Sequence, residues 1–291
     1  MEVVLNQTDI VNIIIQTINT IFSNLFSTID NSVYNELDNY VFIDSSIIEN
    51  TFFEKLLGAN GKNGLIFLAD AMIVGIALFY IVRYFYLNLI DTTVEKPSQF
   101  IFKLFIFALL INFSYFIFDQ ILNINSLIST GIRDIGSNIV NKNISFSELI
   151  SELNKSIISS SAELNVFSLD GIIKSFVSIG LVNLLLSYSL RYIIIQVLIL
   201  FSPFAILSLM NYSTSWIFKA WGKCIFSLLI IQVFIPLIII VIFCVDKNNK
   251  ILYVGGVYAL AKINDYIREM FGGLAINISN NFNGMMSNFR K

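Results

Sequence analysis

The chain has 291 residues, of which 56% are hydrophobic and 13% are charged, and its mean hydropathy is +0.77. About a quarter of the residues in an ordinary soluble domain carry a charge, so this composition is typical of a membrane protein with several spans. The net charge of −2 excludes the strongly basic surface of a dedicated nucleic-acid-binding protein. A sequence without histidine excludes imidazole catalysis and histidine-ligated metal sites.

The N-terminal region, residues 1–64, is predicted to lie outside the cytoplasm and to begin with an amphipathic helix. Residues 10–29 place apolar side chains at helical spacing, and Asn, Gln, Ser and Thr occupy the opposite face. Because this polar face is continuous, we expect the helix to lie on the membrane surface or in a groove of a partner rather than to cross the membrane. Residues 30–57 are acidic, and the glycine-containing stretch 58–64 forms a turn.

Residues 65–122 contain the first two predicted transmembrane helices, at about 65–90 and 99–122. Each run is apolar over more than the roughly 20 residues that cross about 30 Å of hydrocarbon. Lys96 lies in the polar stretch between them, and the positive-inside tendency places residues 91–98 in the cytoplasm. The N-terminal region is therefore expected to be extracytoplasmic.

Residues 123–171 are predicted to form a helical region on the extracytoplasmic side. The stretch is rich in Asn and Ser, with Ile and Leu at helical spacing. SFSE at 145–148 matches a capping box, and a short amphipathic helix follows it.

Residues 172–267 form the C-terminal transmembrane region, and its first run, 172–202, allows two interpretations. The run is either two short spans broken at Arg191 or one long helix ended by Pro203. Two crossings would put the following aromatic and basic stretch outside, and one crossing puts it in the cytoplasm. We therefore predict one tilted helix, about 46 Å long, that ends or bends sharply at Pro203.

The stretch after this helix is predicted to anchor the chain at the cytoplasmic interface. Tryptophan and lysine are typical of that depth, because an indole ring suits the headgroup region and an ammonium group reaches into water. The anchor comprises Trp216, Lys219, Trp221 and Lys223.

Two further runs complete the predicted topology. Residues 224–244 return to the outside, and 251–267 is a weak candidate because Lys262 interrupts it. If the last run crosses, residues 268–291 form a cytoplasmic tail. The predicted fold is an all-α, polytopic membrane protein with about five spans, an extracytoplasmic N-terminus and a cytoplasmic C-terminus.

Polar side chains within the predicted spans are the main candidates for function. Counted along the helices, Asp70, Asn112 and Arg191 can share one layer of the bilayer, and Gln196 lies close in sequence. A partner for Arg191 is expected, because an arginine at the bilayer centre costs about 3 kcal/mol on insertion scales. The layer either lines an aqueous or inter-subunit path or forms a polar clamp that fixes the order of the helices, and the clamp is favoured.

The sequence contains no motif for catalysis or cofactor binding. Walker loops, paired-glycine dinucleotide signatures, zinc-ligand spacings and nucleophile elbows are all missing. We therefore expect a protein that is not an enzyme and that needs neither a metal nor a cofactor.

Three segments, SYSLRYIIIQVLILFSPFAILSLM, SWIFKAWGK and YALAKINDYIREMFGG, together resemble one family of bacterial membrane proteins. This is the TrbL-like family, which includes the sixth VirB-type component of type IV secretion and conjugation machines. The resemblance covers roughly residues 60–275. The predicted topology, with its extracytoplasmic N-terminus and central external region, is also similar to that of the family.

The resemblance implies an oligomeric, non-enzymatic channel or scaffold subunit in the bacterial inner membrane. Its partners would be membrane lipid, further copies of itself and other secretion-machine subunits, including a coupling ATPase. Translocating DNA or protein would contact residues 123–171 transiently, where the candidate substrate-facing residues are Arg133, Lys142 and Lys155.

Two other functions remain open from the sequence. A secondary transporter would be expected to contain an internal repeat, and none is visible here. A pore-forming, holin-like protein would usually be shorter and have fewer spans. A gene position beside a hexameric coupling ATPase rather than beside lytic enzymes would distinguish the secretion subunit from such a pore.

Overall fold

The structure, a computed structural model, describes residues 7–58, 63–89, 96–157, 168–211, 214–245 and 250–270. In these ranges the chain is all-α, with no strand, as the sequence predicts. One 3-10 turn lies at Ser45–Ile47. The α-helices are α1 Gln7–Val41, α2 Thr51–Leu57, α3 Leu65–Leu89, α4 Pro97–Asn112, α5 Ser114–Val140, α6 Phe146–Ile157, α7 Leu169–Leu200, α8 Ser202–Ser208, α9 Ser215–Cys244 and α10 Lys250–Met270.

Several helices are long and apolar enough to cross a membrane. Within the part of the chain that the structure describes, four pass this test alone: α3, α7, α9 and the segment Ile10–Thr28 of α1. Helices α4 and α5 pass it only as a pair, with a bend of 56° between them, which is the geometry of a broken span or of a re-entrant loop; the number is five if the pair is one span. The chain is therefore a polytopic α-helical membrane protein, in agreement with the predicted fold class.

The set of candidate spans differs from the predicted set at both ends of the chain. Helix α10, which contains the predicted run 251–267, is not apolar enough, because its 21 residues include five charged ones, Lys250, Lys262, Asp265, Arg268 and Glu269. Ile10–Thr28 passes with a mean hydropathy of 1.3, because its polar residues are uncharged.

Helix α7 is one continuous helix of 32 residues, which confirms the predicted long helix. Arg191 lies inside it and does not break it. The helix ends at Leu200, and Pro203 occupies the first turn of α8, where a missing N–H costs no hydrogen bond.

The exposed side chains of α7, and some of the buried ones, differ from those of a soluble helix. Its buried face includes three polar residues, Lys174, Ser178 and Arg191. Its exposed face consists mainly of large apolar side chains, namely Ile172, Phe176, Ile179, Leu186, Leu190, Ile193 and Val197. Such an arrangement is stable where the solvent is lipid, because hydrocarbon favours apolar surface and polar groups must find partners inside the protein.

The second predicted span is broken at Phe113. Helix α4 ends at Asn112 and α5 begins at Ser114, and α5 then continues to Val140 past the predicted boundary at residue 122. The predicted external region therefore contains the second half of α5 and the whole of α6, while residues 158–167 lie outside the described ranges.

The predicted cap at residues 145–148 is present at the start of α6. The hydroxyl oxygen of Ser145 accepts a hydrogen bond of 3.1 Å from the backbone N–H of Glu148. This contact satisfies one of the N–H groups that the first turn of a helix leaves without an intrahelical acceptor.

The chain divides into two compact units. The first consists of the described residues within Met1–Phe42, Leu127–Tyr192 and Ile231–Asn264, and in it α1 packs on α6. The second consists of those within Ile43–Ser126, Ile193–Ile230 and Asp265–Lys291. In this second unit α3 packs on α4, both pack on α8, and α2 packs on α3.

Candidate functional site

Asp70 and Asn112, two members of the predicted polar layer, contact each other in the second unit. The side-chain nitrogen of Asn112 is 3.2 Å from each carboxylate oxygen of Asp70 and 2.9 Å from the carbonyl oxygen of Ala108. Asp70 lies on α3, and Asn112 is the last residue of α4. The amide therefore joins two candidate spans and also binds a carbonyl near the end of its own helix.

Gln196, the third member of the predicted polar layer, also lies in the second unit, and its side chain binds a backbone carbonyl. Its side-chain nitrogen donates to the carbonyl oxygen of Ile47 at 3.2 Å, at the end of the 3-10 turn. The contact ties α7 to the segment that connects α1 with α2.

Arg191, the fourth member, belongs to the first unit and is 1% exposed. Its Nη1 donates to the carbonyl oxygen of Val41 at 3.1 Å. Val41 is the last residue of α1, and carbonyls at a helix C-terminus lack intrahelical donors and carry a partial negative charge. The sequence predicts a partner for this arginine inside the protein, and a carbonyl at the end of another helix is such a partner.

A second contact joins the same turn of α1 to α7. The ring of Tyr40 packs edge-on against Tyr192, with 5.5 Å between centroids. The negative charge of Glu36 raises the pKa of Tyr40 above its ordinary value, and burial and a hydrogen bond to Glu36 add to the effect. Tyr40 therefore remains a neutral phenol next to the arginine cap.

The last turn of α1 also binds the first turn of α6. The carboxylate of Asp38 accepts hydrogen bonds from the backbone N–H of Phe146, at 2.9 Å, and from the hydroxyl of Ser147, at 3.0 Å. An anion at a helix N-terminus is stabilised by the free N–H groups and by the helix dipole. Asp38 therefore caps α6 from a neighbouring helix.

Arg133 of α5 completes this group of contacts. Its Nε donates to the carbonyl oxygen of Ile144 at 2.9 Å, and its guanidinium lies 4.2 Å from the ring centroid of Phe42. The Phe146 ring lies between Phe42 and Tyr188, at centroid distances of 6.5 and 6.1 Å. We call the contacts made by Asp38, Val41, Arg133, Phe146 and Arg191 the polar junction.

The other two predicted substrate-facing residues meet at one carboxylate. Lys142 forms an ion pair with Glu152 and lies 5.6 Å from the ring centroid of Phe243. Lys155 is 3.3 Å from the same carboxylate, but its side chain is 67% exposed. The charges of Arg133 and Lys142 are thus used in contacts within the chain, and Lys155 presents its charge outward.

The predicted interface anchor is divided between two faces of α9. Trp216, Lys219 and Lys223 are exposed, as an anchor requires. Trp221 is 9% exposed, and its indole N–H donates to the carbonyl oxygen of Leu198 at 2.9 Å, near the end of α7. Trp221 therefore has the position of a helix cap.

One further polar contact was not predicted. Pro236 lies inside α9 and has no N–H to donate to the carbonyl oxygen of Gln232, four residues earlier. The hydroxyl of Ser129 on α5, 1% exposed, donates to this oxygen at 3.2 Å. The proline alone could have suggested a free carbonyl, but the sequence gives no sign of which helix supplies the donor.

Four of these polar side chains share one role. Each of the four donates to a backbone carbonyl at or near a helix end, at a turn end or at a proline break, and the donors are Ser129, Arg191, Gln196 and Trp221. Within hydrocarbon no water is present to satisfy such carbonyls. Among the residues that the structure describes, no group of three His, Cys, Asp or Glu residues is placed to hold a metal ion.

No protein-family model matches this chain, and no curated protein matches it.

Proposed function

We propose that the chain is an oligomeric, non-enzymatic channel or scaffold subunit of a type IV secretion apparatus of the TrbL-like class, in the bacterial inner membrane. The observation that carries the proposal is the use of buried polar side chains as caps on neighbouring helices, with Arg191 on α1 as the clearest case. Caps of this kind fix helix positions, and fixed helices suit a scaffold better than a carrier that must change conformation.

The residues behind the family resemblance have structural roles that support the proposal. Arg191 in the first segment caps α1, Pro203 lies in the first turn of α8, and Trp221 in the second segment caps α7. The resembling pattern therefore coincides with residues that hold the helices together.

Transfer efficiency in the native host tests this function. Deletion of the gene should abolish DNA or protein transfer, and the intact gene should restore it. Arg191→Leu should reduce transfer by about tenfold or more, because it removes a buried charge-assisted hydrogen bond. Lys96→Leu, at an exposed position, should have little effect. Normal transfer in the deletion strain would refute the assignment.

The proposed topology has an extracytoplasmic N-terminus and a cytoplasmic C-terminus. Single cysteines are introduced for labelling from outside intact cells, after Cys224 and Cys244 are replaced by serine. With Ile10–Thr28 outside the hydrocarbon and α10 crossing it, Lys155→Cys should be labelled and Ser98→Cys should not. Tyr266→Cys, at an exposed position of α10, reports whether that helix crosses. Labelling of Ser98→Cys alone would reverse the topology.

A secondary transporter remains the alternative, and one observation favours it. The broken span at Phe113 lies beside the contact of Asp70 with Asn112, and discontinuous helices next to a carboxylate are used for ion binding in transporters. In sealed vesicles a transporter would lose ion-driven uptake on Asp70→Asn. A scaffold with this substitution would retain secretion, because asparagine can still hydrogen-bond to Asn112.

A further inference from the structure

The first turns of α9 present basic and aromatic side chains on one side of the helix. At 100° per residue these residues lie within about 120° of the helix circumference. We call them the basic stripe, which is formed by Trp216, Lys219, Gly222, Lys223 and Phe226. Trp216 and Phe226 are 65% and 52% exposed, and both lysines are exposed as well. Trp221 and Ile225, on the opposite side of α9, are buried, so the basic stripe faces away from the packed part of the chain.

The two lysines of the basic stripe carry charges that the chain does not balance locally. The sequence contains no Asp or Glu between Asp170 and Asp246. In the described part of the chain, neither Lys219 nor Lys223 forms an ion pair. Residues four apart on a helix have Cβ atoms about 6 Å apart, so two lysines at this spacing repel each other. An anion between them would remove this repulsion.

The depth of the two lysines indicates which anion they meet. Helix α9 has 30 residues and is about 45 Å long, so it extends about 15 Å beyond the hydrocarbon. The uncharged run 224–244 is long enough to fill the hydrocarbon, which places Lys223 at its edge and Lys219 about 6 Å further out. Because helical side chains lean toward the N-terminus, the ammonium group of Lys223 also reaches outward. Both charges therefore lie in the headgroup layer, where the anion is the lipid phosphate.

The surface beside the lysines is open and continues into an apolar one. Apart from its two chain neighbours and the backbone of α9, no atom of the described chain lies within 4 Å of the position that a Cβ on Gly222 would take. Phe226 lies one turn deeper on the same side, and its exposed ring offers a surface for an acyl chain. The basic stripe thus combines two cations, room for a headgroup and apolar surface for the remainder of the same molecule.

We infer that the basic stripe binds one anionic glycerophospholipid, with Lys219 and Lys223 on its phosphate and an acyl chain against Phe226. A zwitterionic lipid fits less well, because its own ammonium group brings a third positive charge beside the two lysines. The inference goes beyond the proposed function and does not depend on it, since it concerns the surface of α9 alone.

Native mass spectrometry of the purified full-length chain in detergent tests the inference. The probes are phosphatidylglycerol and phosphatidylcholine with identical acyl chains, and the measured quantity is the Kd of the first bound lipid. We expect phosphatidylglycerol to bind about tenfold more tightly, because two basic residues contact its phosphate. Lys219→Gln combined with Lys223→Gln should bring the two Kd values within about twofold of each other. Equal Kd values for the two lipids in the unchanged chain would overturn the inference.

A matched pair of substitutions controls for net charge. Lys55→Gln combined with Lys155→Gln removes the same charge from two exposed lysines on α2 and α6. This variant should keep the tenfold preference for phosphatidylglycerol. A loss as large as that caused by the changes at positions 219 and 223 would show general attraction to the charged chain and no site on α9.

A further substitution separates a headgroup site from charge attraction at the stripe itself. Gly222→Leu keeps both lysines and fills the open surface beside them, so it should lower the preference for phosphatidylglycerol by about fivefold. An unchanged preference would mean that no headgroup occupies this surface.

Free phosphate is the other source of the same anion. Excess sodium phosphate should displace phosphatidylglycerol no more than sodium chloride of equal ionic strength does, because only the lipid also contacts the apolar part of the stripe. Specific displacement by phosphate would assign the stripe to a soluble anion and overturn the lipid site.

Discussion

Replacing Arg191 by methionine, which has a similar reach and no charge, should release the end of α1. The guanidinium is 1% exposed in the folded chain, where it contacts the end of α1. The hydrogen bond from Nη1 to Val41 is made only in the docked state. A hydrogen bond from a charged donor contributes about 1.5–3 kcal/mol, so the loss should be about 2 kcal/mol, or about thirtyfold in the docking equilibrium.

The rate of cysteine modification in membranes measures this change. Leu37, in the last part of α1, is fully buried, so a cysteine introduced there reacts with a maleimide only when α1 undocks. Leu37→Cys should react about thirtyfold faster in the Arg191→Met background. Arg191→Lys retains a cationic donor and should give a smaller increase.

Equal labelling rates with Arg191 and with methionine would refute the reasoning. Such a result would mean that the contact with Val41 contributes nothing to docking and that α1 is held by its other contacts, including those of Asp38 with α6.

Three further substitutions should change the midpoint of thermal unfolding in detergent. Ser129→Ala should destabilise the chain by about 1 kcal/mol, and by less when Pro236→Ala returns a backbone N–H to the same carbonyl; equal losses in both backgrounds would argue against the contact. Gly256→Ala should lower the midpoint, because its Cβ would lie 2.5 Å from Ile242, whereas Gly255→Ala, with open space around it, should gain up to about 1 kcal/mol. Trp221→Phe should cost about 1 kcal/mol, because a carbonyl at the end of α7 loses its donor; an unchanged midpoint would contradict the capping role.

The features that depend on hydropathy and local chemistry could be predicted from the sequence. The continuous α7 followed from the apolar run and from the charge balance of its flanks, and the cap at Ser145 followed from a four-residue pattern. The break at Phe113 was missed because neither proline nor glycine marks it. Asn112 provides a local cause, since its side chain binds the carbonyl of Ala108 and so competes with the backbone.

The partners of the polar residues could not be predicted, because they depend on contacts between helices that are distant in sequence. Arg191 is 150 residues from Val41, and Ser129 is 103 residues from Gln232. A backbone carbonyl has no sequence signature, so the sequence suggests only other side chains as partners of these polar residues. Asp70 and Asn112 satisfy that expectation of a side-chain pair.

The polar junction gives the N-terminal helix a mechanical property. Asp38 and Val41 are separated by less than one helical turn, yet the first binds the start of α6 and the second binds Arg191 of α7. A pull or twist applied to α1 by a neighbouring molecule would reach both helices at the same point. This turn of α1 would therefore act as a rigid coupling that transmits a force on α1 to α6 and to α7 at the same time.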